Sequence, residues 1–315
     1  MNPVILMTIG EAIDKTFYGF DMWVYNIFGS MQSGFLTMVA KFFTAFGDEA
    51  FVIPMALFGI VLCFFKKTRK YGFALIFAIA IGTIITNVLV KPMVLRIRPY
   101  NTLQTTDMWG KYSVWYQAAG ALSESDYSFP SGHTTAAFEM AIAIALCLRS
   151  DGKKALSFIP PLIAVGTLGS RVYLMVHYAS DVIGGLIVGT VAGIIAFFLS
   201  KPACMIFEKV KFLDSIDAGK LFKKMDEKKA KTLAVCAICI AIVGIYCNSF
   251  IPALSEGGDA AIRCDYNEEY DCYNEAKVEV DDEGNVTYKE DYPEIEGHEG
   301  EHFCKIHWKQ LSGVK

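Results

Sequence analysis

The chain has 315 residues, 53% of them apolar, and a positive mean hydropathy of +0.36. This composition excludes an ordinary soluble domain and indicates an integral membrane protein. The formal net charge of −4 is unevenly divided, because residues 255–315 hold 17 Asp and Glu against 6 Lys and Arg. The preceding 254 residues therefore carry a net +7, which predicts a basic membrane body followed by an acidic tail.

The N-terminal stretch, residues 1–46, mixes charged and aromatic residues and lacks a clean apolar span. This pattern favours one or two amphipathic helices in the membrane interface. Early charges and the lack of a small-residue cleavage site argue against a cleaved signal peptide. The charged residues are Glu11, Asp14, Lys15, Asp21 and Lys41.

Six apolar segments approach the length of about 20 residues that a bilayer-spanning helix needs. They are 49–65, 71–90, 133–149, 155–176, 179–200 and 232–254. We therefore expect an all-α, polytopic membrane helical bundle of about six transmembrane helices. Its predicted parts are a membrane core over 47–200, a basic linker over 201–231, a further transmembrane helix over 232–254 and the acidic tail.

Lysine and arginine cluster in three connecting segments, 66–70, 149–154 and 201–231, the last with nine lysines. With the spans above, all three segments lie on one side of the membrane. The positive-inside rule makes that side cytoplasmic. The N-terminus, the tail and the opposite ends of the spans are then expected to be extracytoplasmic.

Three short blocks at those opposite ends carry most of the polar chemistry. The first, Lys91-Pro-Met-Val-Leu-Arg-Ile-Arg98-Pro99, ends the second span. On a continuous helix Lys91 and Arg98 share nearly the same face, and together they form a clamp for phosphate. Pro99 is expected to stop that helix. Taken alone, the pair is more simply explained as snorkelling side chains at a helix end.

The second block, Pro130-Ser131-Gly132-His133, opens the third span. A helix start offers unpaired backbone N–H groups and a positive dipole end, which bind anions. Gly132 lets the backbone approach a phosphate closely, and His133 is placed to protonate a departing oxygen. Taken alone, an N-capping serine and an interfacial histidine explain this block better.

The third block runs from Ser170-Arg171 to His177 and Asp181. The last two are four residues apart, so a helix places them on one face, with the carboxylate orienting the imidazole as a nucleophile. Arg171 is six residues before His177, so we expect the chain to turn between the fourth and fifth spans. A structural His–Asp pair is the alternative for this block alone. All three blocks lie on the same predicted face of the membrane. Placing this many ionisable side chains near the bilayer costs free energy, which indicates that they are retained for one functional site.

These blocks resemble the signature motifs of the type 2 phosphatidic acid phosphatase and vanadium haloperoxidase superfamily, over roughly residues 35–200. The motifs are Lys-x6-Arg-Pro, Pro-Ser-Gly-His and Ser-Arg-x5-His-x3-Asp, and every position matches. The resemblance implies that His177 is the nucleophile that forms a phosphohistidine, Asp181 its orienting partner and His133 the general acid. It implies phosphate binding by Lys91, Arg98, Ser131, Gly132 and Arg171, and no metal or other cofactor.

The leading hypothesis is therefore a metal-independent lipid phosphatase of the cell membrane, with its site on the extracytoplasmic face. Candidate substrates are undecaprenyl diphosphate, phosphatidic acid and phosphatidylglycerol phosphate, and no nucleic acid partner is expected. A phosphotransferase using the same phosphohistidine and a non-catalytic phosphate- or lipid-binding membrane protein remain alternatives. A haloperoxidase is disfavoured because such family members are soluble.

The acidic tail lies outside the resemblance, and residues 1–35 lack the full span that membrane members commonly carry there. The tail pattern over 278–288 favours a β-hairpin. Two disulfides are possible among Cys247, Cys264, Cys272 and Cys304. Asn285 fits a glycosylation acceptor pattern. His298 and His302 match the spacing of zinc proteases, but we interpret this exposed, Gly- and Glu-rich run as a solvated tail and not as a zinc site.

Overall fold

The computed structural model describes residues 7–106, 108–122, 124, 126–222, 225–255, 278–280 and 286–288. Its helices are α1 Ile9–Ser30, α2 Gly34–Thr44, α3 Glu49–Cys63, α4 Arg69–Thr83, α5 Lys91–Val94, α6 Pro99–Gln104, α7 Trp109–Ala118, α8 Gly132–Ser150, α9 Ile159–Tyr173, α10 Ala179–Lys209, α11 Lys211–Ser215 and α12 Glu227–Ser255. A π-helix, Ile84–Val90, follows α4, and short 3-10 turns occupy Ala45–Gly47, Leu156–Phe158 and Ala218–Phe222.

Four helical segments among these residues are long and apolar enough to cross a membrane. They are Gly34–Cys63, Arg69–Gln104, Ala179–Lys209 and Lys228–Leu254. The helices α8 and α9 cover the other two segments that the sequence predicts as spans. The first candidate span begins at Gly34, so it starts within the stretch predicted to lie in the interface.

The centre of the bundle is the contact of α10 with α8. A stripe of small residues on α10, Gly185, Gly189 and Gly193, faces the α8 backbone. A Cβ atom at Gly189 would lie 2.5 Å from the carbonyl oxygen of Thr135, so only glycine allows the two helices to approach this closely. Small residues at every fourth position are the usual means of close helix packing in membranes. This contact fixes the start of α8 beside the start of α10.

The chain around the first motif block is not one helix. The π-helix leads into α5, which ends at Val94, and Leu95 adopts a left-handed conformation with φ 57°. Arg98 is extended, and Pro99 is the first residue of α6 instead of the end of a helix. The prediction that Lys91 and Arg98 share one helical face, and that Pro99 stops that helix, is therefore wrong. A fold in the backbone, and not helical spacing, places the two cations.

The basic connecting segments meet at one end of the bundle. Lys70 pairs with Asp151, and the Arg69 guanidinium donates to the carbonyl oxygen of Ile216 over 2.7 Å. The motif blocks lie at the other ends of the same helices, since α4 begins at Arg69 and α8 ends at Ser150. The three basic connecting segments therefore lie at the end of the bundle opposite the motif blocks.

Two short strands of the tail, Val278–Val280 and Val286–Tyr288, pair antiparallel with Glu279 opposite Thr287. The other features predicted for the tail lie outside the described residues. They are Cys264, Cys272 and Cys304, the acceptor Asn285, and the pair His298 and His302.

Candidate active site

The three motif blocks come together where α8 and α10 begin and α9 ends. The backbone N–H of Ser131 donates to the carbonyl oxygen of Asp181 over 3.1 Å, which joins the second block to the third. Arg98 donates to the carbonyl oxygen of Val176 over 3.0 Å, which joins the first block to the third. Five residues from all three blocks, Arg98, Ser131, Arg171, His177 and Asp181, are almost completely buried here.

The His177 imidazole is held in a defined orientation between an arginine and a carboxylate. Nη1 of Arg98 lies 3.1 Å from Nε2 of His177. A guanidinium has only N–H donors, so Nε2 must carry the lone pair and Nδ1 the proton. Nδ1 lies 3.5 Å from Oδ2 of Asp181 and 3.4 Å from Oγ of Ser128. Nε2 is therefore the unprotonated nitrogen, the form that a nucleophile requires, and it accepts from Arg98.

His177 precedes α10 instead of lying on it, and Asp181 occupies the first turn of that helix. Asp181 also accepts from the backbone N–H of Tyr178 over 2.8 Å and from the Ser128 hydroxyl over 2.6 Å. These bonds fix the carboxylate independently of the imidazole. Burial, helped by the positive charge of Arg98, lowers the pKa of His177 to about 4, although the hydrogen bond to Asp181 opposes the shift.

Arg96 contacts the oxygen of Asp181 that does not face His177. Arg96 is 1% exposed, and its Nη1 contacts both the Asp181 carboxylate and the Ser180 hydroxyl. Its Nε donates to Asp14 over 2.8 Å and its Nη2 to Asp21 over 2.7 Å. The N-terminal helix α1 is thereby tied to the site. Sequence reasoning missed this role, because Asp14 and Asp21 were interpreted as interfacial charges.

The cations of the site face two carboxylates that sequence reasoning also missed. Glu124 bridges Arg98 and Arg171, and Asp126 bridges Lys91 and Arg98. Burial alone would raise the pKa of Glu124, but Arg171 and Arg98 hold it well below its usual range. The pKa of Asp126 is lowered in the same way, chiefly by Arg98 and Lys91 against the effect of burial. Both side chains are therefore anions at neutral pH.

Two of the three guanidinium nitrogens of Arg171 contact protein side chains. Its Nη1 donates to Oγ1 of Thr44 over 2.7 Å, and its Nη2 contacts Glu124. Its Nε is buried and has no hydrogen-bond partner in the described part of the chain. A buried N–H without an acceptor is costly, so this atom is suited to a phosphoryl oxygen.

His133 approaches the site from the opposite side. It lies in the first turn of α8, and its Nε2 is 3.7 Å from Oδ2 of Asp48. Its side chain is 20% exposed, so it reaches solvent as a proton donor requires. Ser131 caps the same helix, with its Oγ accepting from the backbone N–H of Thr134. A Cβ added to Gly132 would lie 3.6 Å from Nζ of Lys91, so the helix start and this cation face one small space.

A cavity of about 880 Å³ opens beside this space. Lys91, Gly132, His133 and Arg171 line it, together with Glu124 and residues of α3, the π-helix and α8. His177 does not line it, and Glu124 lies 4.0 Å from Nε2 of His177. Glu124 is bound to Arg98 and Arg171, the cations nearest the imidazole.

Comparison with known proteins gives the family. Residues 71–203 match the family model described as PAP2 superfamily. The phosphatidylglycerophosphatase B of Bacillus subtilis is 31% identical over 179 residues, which cover 54% of this chain and 76% of that protein. The chain belongs to the PAP2 superfamily. The PAP2 region contains all three motif blocks, from Lys91 to Asp181.

Two further PAP2 relatives are similar. An undecaprenyl-diphosphatase of Sulfolobus acidocaldarius is 29% identical over 172 residues, 55% of this chain and 74% of that protein. The crystal structure of a transmembrane PAP2 type phosphatidylglycerolphosphate phosphatase from Bacillus subtilis is 26% identical, with a TM-score of 0.48, and the match covers 64% of this chain and 94% of that one. With its four candidate spans and its curated PAP2 relatives, the chain is a multi-pass membrane protein and an enzyme of the phosphatase class. The family resemblance noted in the sequence is confirmed.

Proposed function

We propose that the chain hydrolyses the terminal phosphate of a membrane lipid through a phosphohistidine at His177. The observation that carries this proposal is the state of the imidazole, whose Nε2 is unprotonated and accepts from Arg98 while Nδ1 faces Asp181. A protein that only binds phosphate needs no such orientation, because its arginines and lysine suffice.

In the first step, Nε2 of His177 attacks phosphorus, and the bond from phosphorus to the lipid oxygen breaks. His133 gives its proton to that departing oxygen, which leaves as an alcohol or, from a diphosphate, as a monophosphate. Arg98, Arg171 and Lys91 stabilise the charge on the phosphoryl oxygens during transfer. The Asp181 carboxylate stabilises the positive charge on the imidazole.

In the second step, His133 accepts a proton from water as the water oxygen attacks phosphorus. The bond between phosphorus and Nε2 breaks, and its electron pair returns to the nitrogen as inorganic phosphate leaves. The acid of the first step is thus the base of the second. We propose that neither step requires a metal ion, since the three cations neutralise the phosphoryl group.

We further propose six spans, with α8 and α9 added to the four candidate spans, and an extracytoplasmic site. Support comes from the basic segments, which meet at the end of the bundle opposite the site and favour a cytoplasmic location there. Labelling a cysteine introduced near residue 290, in a variant without the native cysteines, tests this orientation. Label added outside intact cells must reach that cysteine, and protection until lysis would contradict the proposal.

The test of the reaction is phosphate release by the purified full-length chain in detergent. The panel contains undecaprenyl diphosphate and phosphatidylglycerol phosphate, because two relatives carry these activities in their names. Phosphatidic acid is added as a simple acylated phosphomonoester. We expect release from at least one substrate and a loss of about 10³-fold or more in His177→Ala. Val182→Ala, which trims a buried neighbour of Asp181, controls for packing damage. Undiminished release by His177→Ala would refute the mechanism, and substrate loss without phosphate release would indicate transfer to another acceptor.

A further inference from the structure

Glu139 is a buried carboxyl group that the proposed reaction does not use. It lies in the middle of α8, and only 1% of the residue is exposed. Its Oε2 has no hydrogen-bond partner within the described residues. An ionisable side chain at membrane depth is expensive and by default marks a functional position.

The neighbouring helix α4 leaves space for the Glu139 carboxyl group. Gly82 of α4 lies directly opposite, and a Cβ atom there would be 1.4 Å from Oε2. Only the lack of a side chain at residue 82 leaves room for this group. Oε2 has no partner within the described residues that would stabilise a negative charge, and an isolated carboxylate in an apolar medium is very costly. A carboxylic acid at this position avoids that cost, and its O–H is a hydrogen-bond donor.

Glu139 also lines the cavity that begins at the phosphate site. Gly132 and Glu139 are seven residues apart on α8, which places them on one face, about 10 Å apart along the helix. Thr83, Thr86 and Asn87 line the same cavity, so polar groups continue from Lys91 into the bundle.

The cavity reaches the lipid-facing side of the bundle. Ile53 and Leu57 of the candidate span Gly34–Cys63 line it and are each 59% exposed. A lipid with its phosphate at Lys91 would therefore have its next groups beside Glu139 and its chains toward Ile53 and Leu57.

Lipid phosphates differ in what lies at that depth. In an acylated lipid, ester or amide carbonyl oxygens follow the phosphate within a few bonds. In a prenyl diphosphate, everything beyond the diphosphate is hydrocarbon. A buried donor that meets hydrocarbon stays unsatisfied, whereas a carbonyl oxygen satisfies it.

We propose that the Glu139 carboxylic acid donates a hydrogen bond to an acyl carbonyl oxygen of the substrate, so that the site selects acylated lipid phosphates over prenyl diphosphates. This inference rests on the proposed phosphatase function and narrows its substrate class.

The test compares three substrates with full-length protein in one detergent. They are dioleoyl phosphatidic acid, its ether-linked analogue, which has the same chains without carbonyl groups, and farnesyl diphosphate. For the wild type we expect kcat/KM on the ester to exceed that on the ether by about tenfold, the value of one hydrogen bond of typical strength. Glu139→Leu is expected to lose this preference by losing ester hydrolysis while ether hydrolysis stays within about twofold.

Two variants make the outcome decisive. Glu139→Gln keeps an N–H donor in the same place and should retain most of the ester preference. Met140→Leu, a buried neighbour on α8 that packs in a cluster with Phe51 and Leu75, should leave all three substrates unaffected. An unchanged ester-to-ether ratio in Glu139→Leu, or an equal loss on all substrates, would overturn the inference while leaving the phosphatase function intact. No hydrolysis of any substrate by the wild type would instead overturn the proposed function.

Discussion

The Glu124 carboxylate lies 4.0 Å from Nε2 of His177 and bridges Arg98 and Arg171. A substrate phosphate that is to reach Nε2 needs the same two cations. Glu124 lines the cavity and His177 does not, so this carboxylate separates the imidazole from the space that a lipid would enter. Phosphate binding must therefore move Glu124 aside.

Neutralising Glu124 should strengthen the binding of phosphate analogues. In Glu124→Gln the side chain no longer competes as an anion, and we expect the vanadate inhibition constant to fall by about tenfold. A tenfold change corresponds to about 1.4 kcal/mol, which is less than the energy of two unit charges interacting at about 4 Å. The unliganded variant should also unfold at a lower temperature, because Arg98 and Arg171 lose a buried partner. Enzyme assays with vanadate and thermal unfolding measure both effects.

The control for this variant is Glu49→Gln. Glu49 lines the same cavity but is an exposed residue at the start of α3. In Glu49→Gln the vanadate inhibition constant should change by less than about twofold. Weaker vanadate inhibition in Glu124→Gln would mean that this carboxylate assists binding instead of competing with it.

The role of His133 predicts a dependence on the leaving group. An alcohol leaves as an alkoxide unless it is protonated, whereas nitrophenolate leaves without help. His133→Asn should lower kcat/KM, which reports formation of the phosphohistidine, by about 10²-fold on a lipid monophosphate and by at most about tenfold on p-nitrophenyl phosphate. Asp48→Asn, which keeps His133 and removes the carboxylate at 3.7 Å, should give a smaller loss. Equal losses of His133→Asn on both substrates would exclude a general acid role.

The neutral imidazole should persist to unusually low pH. Burial and Arg98 lower the pKa of His177 to about 4, so Nε2 stays unprotonated above that pH and gains a proton as the pH falls through it. Nuclear magnetic resonance of 15N-histidine-labelled protein, with His177→Asn to assign the signal, should show titration near pH 4 in the unliganded enzyme. Asp181→Asn removes the hydrogen bond that raises this pKa, so it should lower the midpoint further. A midpoint near 6.5 would contradict the structure.

Arg96 should be required for activity as well as for stability. Its three guanidinium nitrogens contact Asp14, Asp21 and Asp181 separately, which the single ammonium of lysine cannot do. Arg96→Lys should lower the free energy of unfolding by about 3 kcal/mol and reduce kcat of the folded enzyme by about tenfold or more.

Arg69→Lys is the matched control for this effect. Arg69 is also buried, but it lies at the opposite end of the bundle and donates to backbone carbonyl oxygens of Cys63 and Ile216. The Arg69→Lys variant should have a lower free energy of unfolding and nearly the same kcat. If Arg96→Lys also retains kcat, Arg96 is a purely structural residue.

The sequence allowed prediction of the family and of the residues that bear its motifs, because short-range spacing carries them. The turn between Arg171 and His177 was expected from helical geometry, and both side chains do approach Glu124. The relation of Lys91 to Arg98 was predicted wrongly, since the left-handed Leu95 leaves no compositional signal. Glu124 and Asp126 were missed because a polar connecting segment has no periodicity that reveals which side chains point inward.

The N-terminal helix illustrates a second limit. Asp21 was predicted to be interfacial, yet it is 1% exposed and paired with Arg96. Its partner lies 75 residues away in the chain, and pairing at such separation is set by the tertiary fold. One signal was available, because Arg96 is an additional cation in the first motif block that the family motif does not require.

The proposed reaction requires a covalent phosphohistidine at His177. The most direct measurement is rapid quenching of enzyme with substrate in alkali, followed by peptide mass spectrometry to locate the phosphoryl group. We expect phosphorylation of His177 during turnover, and none in His177→Ala. Turnover at full rate with no phosphohistidine, or with the phosphoryl group on another residue, would contradict it.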